Sequence, residues 1–501
     1  MTGPEPETPG VAATTGDQVQ SRGAGAGSPR RASSNRRISI AWGFTVFTLL
    51  AMLAIPAPEG VSPAAWRMLA VFSSTIAGII LQPLPMGAMV ILGLTGAVFA
   101  GSLTIEKALG GYANPIVWLV LTAFFMARGM LQTGLGRRIA LHFVRAIGHS
   151  PLGLAYALIS TDLVLASVIP SNGARCGGIV FPIAVSMAEA QGSRPGPTAR
   201  RLGAFLMAAV FHADVIICAM FLTGQASNPL IADLARKVAN VDLTYGGWLL
   251  AGLLPGMLSL ALVPRLVHRL IPPETSETGD AARAAAAELR RLGPMSRDER
   301  IMMAVFLLVA LLWTSASWLG LHTTAIGLLG ISVLLVTGVL GWRDLMGERG
   351  AWDVFIWYGG LIRMAEALNE YGLTTLFAGS ASATLQGWSW WWVLGTLLLL
   401  YFYAHYAFAS ITAHASAMFA PFVAVGLAAG APPFLAAFAF AALSNLDAGL
   451  THYGTIPAPI YFGAGYVSQP SWWRAGFIAS LVTVPVWLFA GGAWWHLLGL
   501  W

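Results

Sequence analysis

Apolar runs of about 20 residues recur along most of the chain, separated by short polar segments. A helix needs about 20 apolar residues to cross the ~30 Å hydrocarbon layer of a bilayer, whereas transmembrane strands show shorter alternating segments. The pattern therefore predicts an all-α polytopic membrane protein. We expect about eleven transmembrane helices, at 39–56, 64–82, 85–101, 113–132, 203–230, 246–271, 300–320, 323–341, 353–372, 432–463 and 472–498.

Two further apolar segments, 151–190 and 391–430, are each interrupted at the middle by polar residues. The interruptions read "PSNGARCGGIVFPI" (170–183) and "ASITAHASAMFAPF" (409–422). A backbone break at membrane depth is tolerated only where it is buried in protein or lines a wet cavity. We interpret both segments as re-entrant hairpins. Two later stretches, "TGQASNPL" and "YGTIPAP", combine Gly with Pro and should unwind their helices as well.

The two interruptions also align with each other. When Ser171 is set against Ser410, Ala174 falls on Ala413 and Pro182 on Pro421. The segment at 134–150 contains three arginines, but its counterpart at 372–389 contains none, which indicates copies on opposite sides of the membrane. Inverted repeats with interrupted helices are typical of secondary transporters. We predict a first inverted repeat at 38–271 and a second at 300–501.

Composition and charge refine this prediction. The 501 residues are 56% hydrophobic and 10% charged, whereas soluble domains carry about 25% charged residues. Most lysines and arginines fall on one predicted side, which places the N-terminus in the cytoplasm and the C-terminus outside a plasma (bacterial inner) membrane. Residues 1–37 are predicted to be a disordered cytoplasmic tail, and residues 272–299 a cytoplasmic linker with a surface helix. The net charge of +6 follows from this arrangement, so no nucleic-acid partner is expected.

Each interruption begins a new helix, whose free N–H groups and positive dipole end suit an anion. Arg175 follows the first interruption, and we interpret it either as a contact for a substrate carboxylate or as an internal ion pair with Asp162 or Asp214. Thr451 and His452 either line the site or satisfy freed backbone groups. The predicted substrate-binding residues are Ser171, Asn172, Gly173, Arg175, Ser410, Thr412, His414, Thr451 and His452.

A cation could bind at the same interruptions, where unwound backbone exposes carbonyl oxygens. The residues considered for this site are Ser171, Asn172, Gly224, Asn228, Gly454 and Thr455. Asp214 and Asp447 are charged groups within apolar segments, and either could couple protons. The two cysteines lie in apolar segments, and no HExxH motif or Cys/His cluster occurs. We therefore expect no enzymatic activity, no catalytic residue, no bound metal and no cofactor beyond Na⁺ or H⁺ as a coupling ion.

"PSNGARCGGIVFPI", "ASITAHASAMFAPF" and "LTHYGTIPAPIYFGAGYVS" resemble the divalent anion:sodium symporter family. The likeness covers residues 40–501 and is closest to the branch of bacterial citrate/succinate antiporters and plastid 2-oxoglutarate/malate translocators. It implies a dimeric elevator-type transporter, in which a scaffold domain supports a mobile domain with two hairpins. Paired Ser-Asn-Thr motifs at the hairpin tips hold the substrate carboxylates in this family and border sodium sites.

Both tips of this chain depart from that motif. Gly173 stands where a threonine is usual, so one substrate contact is missing, and Ile411 stands where sodium-coupled members have asparagine. The second departure favours exchange over sodium coupling. The expected function is secondary transport of small di- or tricarboxylates of the malate, succinate, 2-oxoglutarate or citrate class by anion exchange. The alternatives are a sodium-coupled symporter of dicarboxylates or other divalent anions and, more remotely, a non-transporting membrane sensor.

Overall fold

A computed structural model of the chain describes residues 29–373 and 387–501, with side chains from residue 38 onward. Every regular element in these two ranges is helical. The first half contains α1 (Pro29–Ala54), α2 (Pro63–Leu81), α3 (Met86–Phe99), α4 (Ile105–Leu109), α5 (Pro115–Thr133), α6 (Leu135–Ile147), α7 (Pro151–Ala166), α8 (Phe181–Ala190), α9 (Gly203–Met220), α10 (Asn228–Ala239) and α11 (Tyr245–Leu270).

The second half begins with the linker helix. It contains α12 (Gly279–Leu292), α13 (Arg297–Leu319), α14 (Thr323–Val336), α15 (Trp342–Gly347), α16 (Arg349–Glu370), α17 (Trp390–Ala404), α18 (Ile411–Ala428), α19 (Pro433–Leu446), α20 (Pro457–Gly463), α21 (Gln469–Pro485) and α22 (Gly492–Leu497). Within the described ranges, eight candidate spans are long and apolar enough to cross a membrane, and four shorter apolar helices accompany them. The predicted all-α membrane class is confirmed, while the number of eleven spans stays a prediction.

Local sequence signals account for many of the helix ends. Ser150 begins α7 by accepting a hydrogen bond from the N–H of Gly153 at 3.1 Å, and Thr244 caps α11 in the same way. Ser296 and Glu299 form a reciprocal capping box at the start of α13. Prolines occupy the first turn of α2, α5 and α7, where a missing N–H costs no hydrogen bond.

The first helix begins earlier than the sequence predicted. Residues 29–37 form the start of α1, whereas the sequence predicts a disordered tail over residues 1–37. The helix extends through this polar segment because each added turn satisfies backbone groups, and a proline is tolerated in a first turn. The rest of the predicted tail, residues 1–28, lies outside the described residues, as do residues 374–386 of the repeat segment at 372–389.

All four predicted interruptions are present. α7 ends at Ala166, and helical structure resumes as a π-helix over Gly173–Val180 that continues into α8. The chain between α17 and α18 forms a 3₁₀ turn, His405–Ala407, before α18 begins. The predicted spans at 203–230 and 432–463 are each split, at residues 221–227 and 451–456. We name residues 170–173 the first tip and residues 409–412 the second tip.

Helix α9 is the centre of the packing and lies against α7, which leads into the first tip. Every residue of α9 is buried, and it packs against α7, α11, α19 and α20. The linker helix α12 lies on α6. Arg138 of α6 also contacts Glu299 of α13 through two hydrogen bonds of 2.6 and 3.1 Å, so the chain on both sides of the linker is fixed at this point.

Candidate functional site

The first tip is tied to the last interruption of the chain. Ser171 Oγ accepts a hydrogen bond from the N–H of Ala174 at 3.2 Å, which satisfies a free donor of the new helix. Asn172 Nδ2 donates to Thr455 Oγ1 at 2.9 Å. The π-helix that follows has a wider turn than an α-helix, a feature that often occurs at functional sites. The predicted residues Ser171, Asn172 and Thr455 therefore lie together.

The second tip is the N-terminus of α18. Ser410 has an extended backbone and accepts a hydrogen bond from the N–H of Ala413. Thr412 and Ile411 lie in the first turn and are almost buried. Because the first N–H groups of a helix have no partner within the helix, this end presents donors and a partial positive charge.

Both tips open on one cavity of about 530 Å³. Its opposite wall comes from α3, α5 and α16 and includes Arg128 and Asp353. A volume of this size is typical of small-molecule sites. The residues from the two tips and the last interruption that line it are Ser171, Asn172, Gly173, Ser410, Ile411, Thr412, Tyr453, Thr455 and Ile456. The two tips and Thr455 thus converge as the sequence predicted.

Arg175 lies behind the first tip and does not line the cavity. Its side chain is fully buried, with Nε 2.5 Å from Asp162 Oδ1 and Nη2 3.0 Å from Asp214 Oδ1. Nη1 donates to the carbonyl oxygens of Ile169 and Gly224 at 3.0 and 2.9 Å. The structure therefore contains the internal ion pair, with both aspartates, and the guanidinium has no exposed surface for a substrate.

His414 occupies the matching position behind the second tip, and it too is absent from the cavity wall. Its Nδ1 lies 3.0 Å from Asp447 Oδ2 and 3.3 Å from Nδ1 of His405. His405 Nε2 lies 3.1 Å from the carbonyl oxygen of Gly454. All three side chains are fully buried. His414 therefore presents no surface to the cavity.

The remaining predicted residues have structural partners. His452 Nδ1 accepts a hydrogen bond from Trp473 Nε1 at 2.9 Å, away from the cavity. Thr451 is buried, and its carbonyl oxygen accepts from Trp472 Nε1. Neither residue lines the cavity, and neither side chain bonds a freed backbone group, since Thr451 Oγ1 has no hydrogen-bond partner among the described residues.

The carbonyl oxygens and amide considered for a cation are also occupied. Gly224 O accepts from Arg175, and Gly454 O faces His405. Asn228 Nδ2 donates to the carbonyl oxygens of Cys218 and Phe221, and its Oδ1 accepts from Asn445. Asn228 therefore closes the interrupted end of α9. The cation site stays a prediction, and Ser171, Asn172 and Thr455 are the members that line the cavity.

Sequence reasoning missed two residues near the site. Arg128 lines the cavity opposite the tips, with 43% of its side chain exposed and its nearest carboxylate, Asp344, at 4.0 Å. His405 completes the cluster with His414 and Asp447. A charge within an apolar segment was the available signal for Arg128, whereas His405 lies in a turn that becomes significant only through its contacts.

The fold and this cavity define a polytopic, all-helical membrane transporter of anions. The transmembrane region of sodium:sulfate symporters matches residues 39–501, and the chain belongs to this family. The resemblance to the divalent anion:sodium symporters is thereby confirmed.

Related chains agree with this assignment. The putative malate transporter YflS of Bacillus subtilis is 47% identical over 458 residues, which cover 91% of this chain and 96% of that protein. Dicarboxylate transporter 1 of spinach (Spinacia oleracea) chloroplasts is 46% identical, over 91% of this chain and 81% of that protein. The crystal structure of the YdaH transporter of Alcanivorax borkumensis shares the fold with a TM-score of 0.51 and 16% identity, over 81% of this chain and 90% of that chain.

Proposed function

We propose that this protein is a secondary transporter that exchanges small dicarboxylates across a membrane. The observation that carries the proposal is the convergence of two helix-starting tips on one cavity of about 530 Å³. Ser171 with Asn172 would hold one carboxylate, and Ser410 with Thr412 the other. The similarity to a putative malate transporter and to chloroplast dicarboxylate transporters supports this substrate class.

Exchange is favoured over sodium coupling because Arg175 already occupies backbone carbonyl oxygens beside the first tip. Arg175 donates to carbonyl oxygens of Ile169 and Gly224, at the interruptions where a sodium ion would otherwise find ligands. At the second tip, Ile411 offers no side-chain oxygen. The second candidate is sodium-coupled symport, which the family description and the oxygens of Ser171 and Thr455 favour.

Uptake into proteoliposomes tests both candidates. Labelled malate, succinate, 2-oxoglutarate and citrate are supplied with and without internal dicarboxylate, in sodium or choline buffer. We expect uptake that requires internal dicarboxylate and is the same in both buffers. Uptake that does not depend on internal dicarboxylate and requires sodium would establish symport instead. No uptake of any of the four under all conditions would contradict carboxylate transport itself.

Substitutions at the second tip test whether its side chains bind the transported dicarboxylate. We expect Ser410→Ala and Thr412→Val to reduce exchange at least tenfold, since each removes a hydrogen bond to a charged group worth about 1.5–3 kcal/mol. Ser332→Ala on α14 is the control, because its hydroxyl only bonds the carbonyl oxygen of Leu328 within the same helix and is exposed. Equal loss in the control would point to general destabilisation.

The arrangement in the membrane is also part of the proposal. We propose an elevator-type homodimer with a cytoplasmic N-terminus, an external C-terminus and a cytoplasmic linker. Both native cysteines are buried and free, so a single new cysteine would report alone. Arg283→Cys on the exposed face of α12 should react with an impermeant thiol reagent only in inside-out vesicles. Light scattering of the detergent-solubilised protein would give the number of subunits.

A further inference from the structure

His405, His414 and Asp447 form a compact cluster, the buried triad, behind the second tip. His405 Nδ1 lies 3.3 Å from His414 Nδ1 and 3.4 Å from Asp447 Oδ1, and His414 Nδ1 lies 3.0 Å from Asp447 Oδ2. All three side chains have no exposed surface. We propose that the buried triad is a proton-binding site that takes up one proton when a dicarboxylate binds. This inference rests on the proposed transport function and adds a coupled ion to it.

The buried triad has fewer hydrogen-bond donors than acceptors, which is why an additional proton stabilises it. His405 Nε2 faces the carbonyl oxygen of Gly454, which can only accept, so the ring hydrogen of neutral His405 is on Nε2. His405 Nδ1 is then a bare acceptor. His414 Nε2 makes no well-formed hydrogen bond in the described part of the chain, where its ring has only a weak contact with the backbone of Tyr401, so we assign the hydrogen of His414 to Nδ1, towards the carboxylate.

One hydrogen then faces three acceptor atoms. These are His405 Nδ1 and the two carboxylate oxygens of Asp447, whose one further contact with a donor among the described residues is a weak one with the backbone N–H of Ala448. An ionised carboxylate with so few donors is costly in a buried site. A second hydrogen between His405 Nδ1 and Asp447 Oδ1 supplies the missing bond. The buried triad has one negative charge when it is empty and is neutral when it is loaded.

No other ionised side chain forms an ion pair with the buried triad in the described ranges. Tyr401 of α17 is the titratable neighbour: its ring lies 4.2 Å from that of His414, and its hydroxyl bonds Ser444 Oγ at 2.8 Å. Phe408 covers His414 at 4.8 Å between ring centroids. The charge of the buried triad is therefore set by its own proton.

The position of the buried triad connects that charge to the anion. His414 lies on the first turn of α18, one turn after Ser410, which lines the cavity. An empty, negative triad opposes a dianion at the second tip, whereas a loaded triad does not. At the first tip the matching place is held by Arg175, whose charge is permanent. The two copies thus differ: the first has a fixed ion-pair cluster, in which Asp162 and Asp214 offset the charge of Arg175, and the second has an exchangeable proton.

Calorimetry of 2-oxoglutarate binding to the detergent-solubilised full chain tests the site. Titrations in two buffers with different ionisation enthalpies give the number of protons taken up. Both carboxyl groups of 2-oxoglutarate are ionised above about pH 6, so the ligand contributes no proton. We expect uptake of close to one proton at the alkaline end of the range from about pH 6 to 8.5, where the empty triad is deprotonated. The dissociation constant there should rise about tenfold per pH unit, and it should level off as the pH falls.

Variants of the buried triad test whether the proton that is taken up binds to these three side chains. Asp447→Asn should take up no proton and bind with a pH-independent affinity near that of the wild type at low pH, because its amide donates as the loaded state does. His414→Gln should lose proton uptake too. His452→Gln is the matched control and should keep it, since its ring bonds Trp473 outside the buried triad.

The outcomes separate the two proposals. Wild-type protein that binds 2-oxoglutarate without proton uptake at any pH overturns the proton site and leaves the transport proposal standing. Proton uptake that survives in both Asp447→Asn and His414→Gln also overturns it, because the proton would then bind elsewhere. Absence of dicarboxylate binding overturns both proposals. If the variants do not fold, the proton count of the wild type alone decides.

Discussion

Arg175 and Asp162 form a buried ion pair, with Nε 2.5 Å from Oδ1 and at most 1% of either side chain exposed. Asp214 is the second carboxylate on the same guanidinium, and Asn172 Nδ2 lies 3.4 Å from its other oxygen. The first tip is therefore held by charges that have no contact with solvent. Arg175 is connected to the cavity-lining Asn172 only through Asp214, so we expect any effect of Arg175 on a bound anion to be indirect.

Arg175→Gln should destabilise the protein strongly, because it leaves two buried carboxylates without a cation. Removing one partner of a buried pair costs about 3–5 kcal/mol. The double variant Arg175→Gln with Asp162→Asn should recover part of the loss, since it removes one carboxylate as well. Thermal unfolding in detergent measures both.

Arg283→Gln is the control for that comparison. Arg283 pairs with Asp280 on the linker helix, and both side chains are exposed, so its loss should change stability by about 0.5 kcal/mol or less. If Arg175→Gln were as stable as the wild type and had lost only anion binding, the guanidinium would serve the substrate directly.

The sequence predicted the helices, the four interruptions and the family, because each depends on local composition or on motifs within one segment. It left the role of Arg175 open between two interpretations. A carboxylate of Asp162 or Asp214 and a carboxylate of the substrate are equally good partners for a guanidinium, and the sequence does not show which of them is near. His405 could not be identified, because its significance comes from the distances to His414 and Asp447. Residues on the opposite cavity wall were missed for the same reason: helix packing, not spacing, brings Arg128 to the tips.

Gly173 is a second residue whose role depends on a contact that the sequence does not show. A Cβ atom at this position would lie 2.7 Å from Cγ2 of Ile456, so the tip has a glycine because Ile456 occupies the space. Gly173→Thr should therefore reduce exchange about tenfold or more, at a cost of about 1–3 kcal/mol for overpacking. We therefore expect that introducing the threonine typical of the family, without a second change, does not restore the contact of its hydroxyl with the substrate.

The double variant Gly173→Thr with Ile456→Ala tests whether Ile456 is the reason for the glycine. It removes the clash and gives the hydroxyl access to the cavity, so exchange should return to at least the level of Ile456→Ala alone. Dicarboxylate exchange in proteoliposomes measures all three. Additive effects of the two substitutions would show that Ile456 does not explain the glycine.

An ion pair joins α10 to α16, the helix that contributes to the cavity wall opposite the tips. Lys237 of α10 lies 2.8 Å from Glu366 of α16 through Nζ and Oε1, and both side chains are partly buried. If α10 moves past α16 during transport, this pair must break in every cycle. Glu366→Gln should then raise the exchange rate several-fold with an unchanged KM, since a partly exposed pair contributes up to about 1 kcal/mol.

Glu370→Gln on the same helix is the matched control. Glu370 pairs with Arg363, which is also in α16, so its loss removes no contact between α10 and α16. Its exchange rate should stay close to that of the wild type. Equal acceleration in both variants would mean that α16 responds to charge alone, and the pair with Lys237 would not be a barrier to movement.

Arg128 is the cation on the cavity wall opposite the tips. Its side chain is 43% exposed, its Nε has no hydrogen-bond partner among the described residues, and Asp344 lies 4.0 Å away. A charge in this position attracts a dianion held by the two tips, and at a few ångströms in a partly solvated site the interaction is worth about 1–4 kcal/mol. Arg128→Gln should therefore raise the KM for dicarboxylates about tenfold.

The same substitution should leave thermal stability almost unchanged, because no buried partner loses its cation. Arg128→Lys keeps the charge but not the planar fork, so its KM should fall between those of the wild type and Arg128→Gln. Exchange kinetics over a range of external succinate concentrations measure all three. A KM for Arg128→Gln equal to that of the wild type would place the anion too far from this wall for a direct electrostatic contact, and recognition would then depend on the two tips alone.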